Sequence, residues 1–225
     1  MINEFMARVN NGANGAPSGK VGAVVFCKWK DITYVRSLPK VKKRRKLSDS
    51  ENKNRSKFAF TQTFLGQFTK FFRLGFQRYK ENMTAFNAAM SYHLENAVLQ
   101  TAQGPAINYE KFAISRGLED IIVSTSTEIV DGKLDIKWEL KITKELLHHE
   151  LSDFRTLVLL LPEDPINHAT GISLGNSIEY RSQFIELPKV SKSSIFHLYL
   201  GFAATDGSNR SMNSVYLGMV TVEKE

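Results

Sequence analysis

The sequence predicts an α+β protein in three parts. These are a basic N-terminal arm with a β-hairpin (1–46), a helical pair (47–104) and a C-terminal antiparallel β-sandwich of immunoglobulin-like architecture (105–225). Three observations predict it. Apolar and β-branched residues alternate at period two over 20–38, as in a strand pair. Phenylalanines then recur near helical spacing from Phe60 to Phe76, as on the apolar face of a helix. From residue 110 onward, short apolar segments alternate with turn residues, the pattern of a sandwich.

Charge divides the chain more sharply than hydropathy does. Up to Lys80 there are 18 Lys+Arg against 4 Asp+Glu, and the remainder has 12 against 19, so a net +7 hides a basic front and an acidic body. With 225 residues, 42 % of them hydrophobic and 15 of them Phe, the chain can bury a substantial core. The single cysteine, Cys27, excludes an intrachain disulfide and a multi-cysteine metal site. It is expected as a small hydrophobe on a strand. No stretch approaches the roughly 18 apolar residues of a membrane-spanning helix. The start, Met-Ile-Asn-Glu-Phe-Met-Ala-Arg, lacks a secretory pattern. The expected location is the cytoplasm, or a virion-like or phage-derived particle.

Residues 1–19 are rich in Asn, Gly, Ala and Ser and bury too little to fold alone. Gly19-Lys20 suggests a phosphate loop, but Asn14 and Val21 stand where that motif needs Gly and Ser or Thr. The hairpin follows. Val21, Ala23, Val25, Cys27 and Trp29 alternate along one strand, Asp31 turns the chain, and Ile32–Arg36 return. A lone hairpin is marginal, so its apolar side chains Val21, Val25, Trp29 and Tyr34 are expected at an interface.

The runs Met6-Ala-Arg-Val-Asn-Asn-Gly, Ser18-Gly-Lys-Val-Gly-Ala-Val-Val, Trp29-Lys and Tyr34-Val-Arg-Ser-Leu-Pro39 carry a resemblance, as do Arg55-Ser-Lys-Phe-Ala and Met83-Thr-Ala-Phe-Asn-Ala-Ala. Together they resemble a family of short Bacteroidota proteins known only as a domain of unknown function. The resemblance extends along the whole chain and implies a bacterial or bacteriophage-related source. It brings no activity and no site residues. The unbroken packing of basic residues in this arm departs from the family pattern.

That basic run is Lys40, Lys42, Lys43, Arg44, Arg45 and Lys46. Such density, with no acid among them, is expected to contact a polyanion, DNA or RNA, without base specificity. Ser48 or Asp49 then caps a first helix to about 79, and Thr84 a second to about Gln100. Phe64, Phe68 and Phe72 of the aromatic stripe serve the core first and are also expected to feed an interface. His93 is expected as a satisfied core or boundary histidine. Expected strands are 111–115, 121–128, 133–141, 154–161, 178–185, 195–204 and 214–222. Asp131-Gly132 is a tight-turn signal, and Asp206-Gly207-Ser208-Asn209 is another turn. Phe154–Leu161 is apolar on both faces, as a central strand would be.

No catalytic constellation emerges. His149-Glu150 lacks the second histidine of a zinc helix, Asp153 standing in its place. Glu163, Asp164 and His168, around Pro162 and Pro165, read as a solvated loop. No cofactor or metal is expected. The leading expectation is therefore a self-assembling structural subunit, capsid-like, tubular or filamentous, whose partners are copies of itself, with nucleic acid as a further partner through the arm. The competing expectation is a soluble, sequence-nonspecific nucleic-acid-binding protein; an enzyme ranks third.

Overall fold

The structure, a computed structural model, describes residues 8–9, 15–29, 32–38, 46–118, 122–141 and 151–224. The chain is mixed α+β, and every strand ladder among the described residues is antiparallel. It divides into two compact units, 1–47 and 48–225. The helical pair and the β region fall within the second of these units. Among the described residues no helix is long and apolar enough to cross a membrane.

The N-terminal unit is a four-stranded sheet in the order β1 (Arg8–Val9), β2 (Pro17–Val21), β3 (Val24–Trp29) and β4 (Ile32–Ser37). The expected hairpin is present as β3–β4, with Val24 opposite Ser37 and Trp29 opposite Ile32. Two earlier strands come from the segment expected to be irregular. Gly22, at φ +52, is the reason. That left-handed conformation suits glycine and reverses the chain, so Val21 ends β2 instead of starting the hairpin strand.

In the C-terminal unit, Ser48 caps α1 (Asp49–Gly66) through a complete capping box with Glu51. The long expected helix breaks after Gly66, and α2 (Thr69–Gly75) follows. A Cβ on Gly75 would lie 2.3 Å from the Ile114 carbonyl oxygen, so only glycine permits this approach. Thr84 caps α3 (Ala85–Asn96), its hydroxyl accepting from Asn87 N–H. α3 stops short of Gln100 because β5 (Val98–Thr101) and β6 (Gly104–Ile107) form a small hairpin.

The remaining strands are β7 (Ile122–Val130), β8 (Lys133–Leu140), β9 (Phe154–Pro162), β10 (Thr170–Ser177), β11 (Ser182–Glu186), β12 (Ser194–Ala204) and β13 (Val215–Val222). They make sheets ordered β10-β9-β12-β13 and β11-β8-β7. Asp131 and Gly132 turn β7 into β8 at φ 50 and 74, both positive as a type I′ turn requires. The expected strand 111–115 is instead a 3-10 turn (Tyr109–Lys111) and an irregular segment. The expected strand 178–185 opens with another 3-10 turn (Ile178–Tyr180), and left-handed Arg181 precedes β11. β10 was not expected. Its Gly171 is required because a Cβ there would sit 2.5 Å from the Val158 carbonyl oxygen and 2.6 Å from the Phe71 ring.

The sheet containing β9 and β12 is covered on both faces. Leu157, Leu159, Leu161, Tyr199 and Ala203 share one buried cluster with Phe68, Phe72 and Phe76 of the helical layer. The alternate residues Val158, Leu160, Phe196, Leu198, Leu200 and Phe202 share a second cluster with Leu134, Ile136 and Trp138 of β8. Period two thus places successive β9 residues in different cores, which is why that strand is apolar throughout. Burying each large side chain contributes roughly 1.5–3 kcal/mol. The Trp138 indole donates to the Ile178 carbonyl at 3.0 Å, so its polar atom is also satisfied. Asp135 ion-pairs with Lys137 at 3.0 Å and is only 4 % exposed.

Candidate functional site

The N-terminal sheet gathers most of the sequence-predicted interface residues. Register places Val25, Trp29 and Tyr34 on one face with Ile32 and Arg36. Val21 falls on the other face with Val24, Phe26 and Val35, because β2 pairs with β3 through Val21 opposite Val24. The four residues therefore do not share a face, as one unbroken strand would have required. Neither face is buried. No described residue before Thr61 is buried, and every residue of β4 is exposed, with Val35 at 54 %. β4 also ends the sheet, and among the described residues no strand pairs with its outer edge. Cys27 is half-buried, as a small side chain within the sheet.

Of the basic run, Lys40, Lys42, Lys43, Arg44 and Arg45 lie outside the described residues. Lys46 is described and exposed. The 1–47 unit holds 11 Lys+Arg against 2 Asp+Glu, whereas 48–225 holds 19 against 21. Cations of the basic front thus fall on both sides of the structural boundary, since α1 and α2 carry several of them.

Of Phe64, Phe68 and Phe72, expected to feed an interface as well as the core, Phe68 and Phe72 lie wholly in the core. Phe68 and Phe72 are buried and Phe64 packs against their cluster. Edge-to-face contacts link Phe64, Phe68 and Phe72 to Phe112 at centroid distances of 5.8–6.4 Å. Phe68 and Phe72 are enclosed inside the unit, whereas half-buried Phe64 keeps part of its ring at the cleft beside Tyr109.

His93 is a satisfied core histidine. Its Nδ1 lies 2.7 Å from the Ala89 carbonyl, and its Nε2 accepts from Ala113 N–H at 3.3 Å. That pair of partners fixes a neutral tautomer with the proton on Nδ1. Burial lowers its pKa to about 4, with Arg116 acting in the same direction. Among the described residues no group of three or more His, Cys, Asp or Glu could hold a metal. Asp164 instead accepts from Ile166 N–H at 3.0 Å and pairs with Lys192 at 3.7 Å. His149 and Glu150 lie outside the described residues.

One cluster was missed from sequence. The rings of Tyr109 and His197 stack at 3.7 Å and 7°. His197 Nδ1 is 2.8 Å from the Tyr216 hydroxyl, and the Tyr199 hydroxyl donates to the Tyr109 carbonyl at 2.7 Å. Tyr109 also borders a cleft of about 370 Å³, together with Phe60, Phe64, Pro162 and Glu163. Burial lowers the His197 pKa, with Glu163 opposing. Burial also raises the Tyr216 phenol, reinforced by Glu110 and Glu163. No motif flags these residues, because His197 and Tyr199 share β12 while Tyr109 and Tyr216 come from distant parts of the chain.

No curated protein matches the chain. A family of unknown function, DUF6266, matches residues 16–218, from the N-terminal sheet through to β13. The match covers most of the sequence and takes in both compact units, so the chain belongs to family DUF6266, a family of unknown function.

Proposed function

We propose that this protein is a non-catalytic, self-assembling structural subunit whose N-terminal unit is completed by another copy. One observation carries the reading: a four-stranded sheet in which no described residue is buried, although Val21, Trp29, Ile32, Tyr34 and Val35 are all exposed. A sheet needs an apolar face packed on something to be stable. An exposed edge such as β4 also takes up further strands readily. A capsid-like, tubular or filament subunit supplies both kinds of partner, and the particle or the cytoplasm would be its location. We read the two C-terminal sheets that share the Trp138 core as a sandwich of immunoglobulin-like architecture. The bacterial or phage-related source is proposed alongside.

The test is light-scattering mass of the full chain at low and high salt, with the 260/280 nm absorbance ratio followed across the peak. A large discrete particle supports assembly. A 25.5 kDa monomer at every salt and concentration contradicts it. The excess of 11 cations over 2 acids in residues 1–47 favours a second reading, a sequence-nonspecific nucleic-acid binder. That reading predicts a monomer whose nucleic-acid affinity falls steeply with salt.

A further inference from the structure

We infer that β7 is a dimerisation edge, in which Val123–Ile129 pairs antiparallel with the same segment of a second copy about a two-fold axis through Ser126. The inference rests on the self-assembly reading and specifies one of its contacts. β7 is the last strand of its sheet, and among the described residues nothing pairs with its outer edge. Natural edges are usually blunted by lysine, proline, bulges or brevity. This one runs for nine residues, Ile-Val-Ser-Thr-Ser-Thr-Glu-Ile-Val, with no proline, no cation and one acid; its pairing with β8 shifts register once, at Val123, and is regular from Ser124 to Val130. Val123 is 62 % and Ile129 53 % exposed.

The segment is self-complementary. With Ser126 opposite itself, Thr125 faces Thr127, Ser124 faces Glu128 and Val123 faces Ile129. Like character meets like, and the two Glu128 side chains stay apart. Cross-strand pairs of this kind are the unit of sheet stabilisation, and a two-fold contact uses the same surface on both copies. The faces agree as well. Ser124, Ser126 and Glu128 align with Glu139, Lys137 and Asp135 of β8, whereas Thr125, Thr127 and Ile129 align with Trp138, Ile136 and Leu134. Pairing about Ser126 therefore joins the two sheets with their cores on the same side.

Neighbouring registers that keep this match are poorer. Centring on Thr125 sets Val123 against Thr127, and centring on Thr127 sets Ile129 against Thr125. The Ser124 hydroxyl already donates to Glu139 at 3.1 Å, so the Ser124–Glu128 pair contributes polarity and the absence of a clash, not a required hydrogen bond.

The test uses the full chain with Cys27→Ser as background. In antiparallel pairs directly opposed Cα atoms lie about 4.5–5.5 Å apart, within disulfide reach. Adding Ser126→Cys is expected to give a covalent dimer under mild oxidation, reversed by reductant. Ser124→Cys, which faces residue 128, is expected to cross-link at least tenfold more slowly. Ser126→Lys sets two cations face to face and is expected to raise the dimer dissociation constant at least tenfold, with an unchanged circular dichroism spectrum. If the unsubstituted protein assembles but Ser126→Cys cross-links no faster than Ser124→Cys, or Ser126→Lys keeps the wild-type mass, the edge inference fails and the assembly reading stands. If the unsubstituted protein is monomeric throughout, both fail.

Discussion

Two four-stranded antiparallel sheets in one chain follow the same alternation and end differently. β3, Val-Val-Phe-Cys-Lys-Trp, and β9, Phe-Arg-Thr-Leu-Val-Leu-Leu-Leu-Pro, both read as apolar strands. β9 is buried at seven of its nine positions, because helices cover one face of its sheet and β8 lies against the other. β3 is half-buried at best. Apolar alternation identifies a strand, but burial depends on what the rest of the chain provides to cover it. The C-terminal unit supplies its own cover. The N-terminal unit does not.

The largest effect that sharpens this contrast comes from the core. Phe72→Ala is expected to cost about 3–5 kcal/mol, read as a lower urea midpoint with little change in slope. The next tests the burial of His93. Unfolded, it binds a proton near pH 6.5; folded, only near pH 4. Stability is therefore full above about pH 6.5 and declines as pH falls toward 4, by roughly 3 kcal/mol from this group. Urea unfolding from pH 7 to pH 4 measures it, and a flat profile would contradict the assignment.

Smaller effects follow. Gly75→Ala forces a Cβ to 2.3 Å from the Ile114 oxygen and is expected to cost about 1–3 kcal/mol by the same unfolding measurement. Ser48→Ala removes the α1 capping box and should cost about 1 kcal/mol, visible as a drop in melting temperature. Smallest is Val35→Ser on β4, expected to change C-terminal unfolding by less than about 0.5 kcal/mol. It should nonetheless reduce particle mass in light scattering. A loss of folding as large as that of Phe72→Ala would erase the distinction between the two units.

Much of the C-terminal unit was legible because its local signals agree with its packing. Ser48 and Thr84 cap helices, Asp131-Gly132 turns a hairpin, and the doubly apolar β9 lies inside its sheet. β10 was hidden because Gly171 and Gly175 weaken its strand pattern, and their reason is a neighbour's close approach. The extra N-terminal strands were hidden because Gly22 looks like loop filler until its positive φ is known. The Phe stripe was legible as apolar, but sequence could not say that Phe68 and Phe72 are enclosed by Phe112 and β9. The Tyr109–His197–Tyr216 cluster was invisible because only the fold brings it together. The near-symmetry of Val123–Ile129 stands in the sequence, but only topology makes that strand an edge.

Hydrogen–deuterium exchange at two protein concentrations, below and above the onset of assembly, tests the central claim most directly. Amides of β9 and β12 are expected to be strongly protected at both, and those of β2–β4 to gain protection only at the higher concentration. Strong protection of β2–β4 in the dilute monomer would contradict it, since the N-terminal sheet would then be stable without another copy.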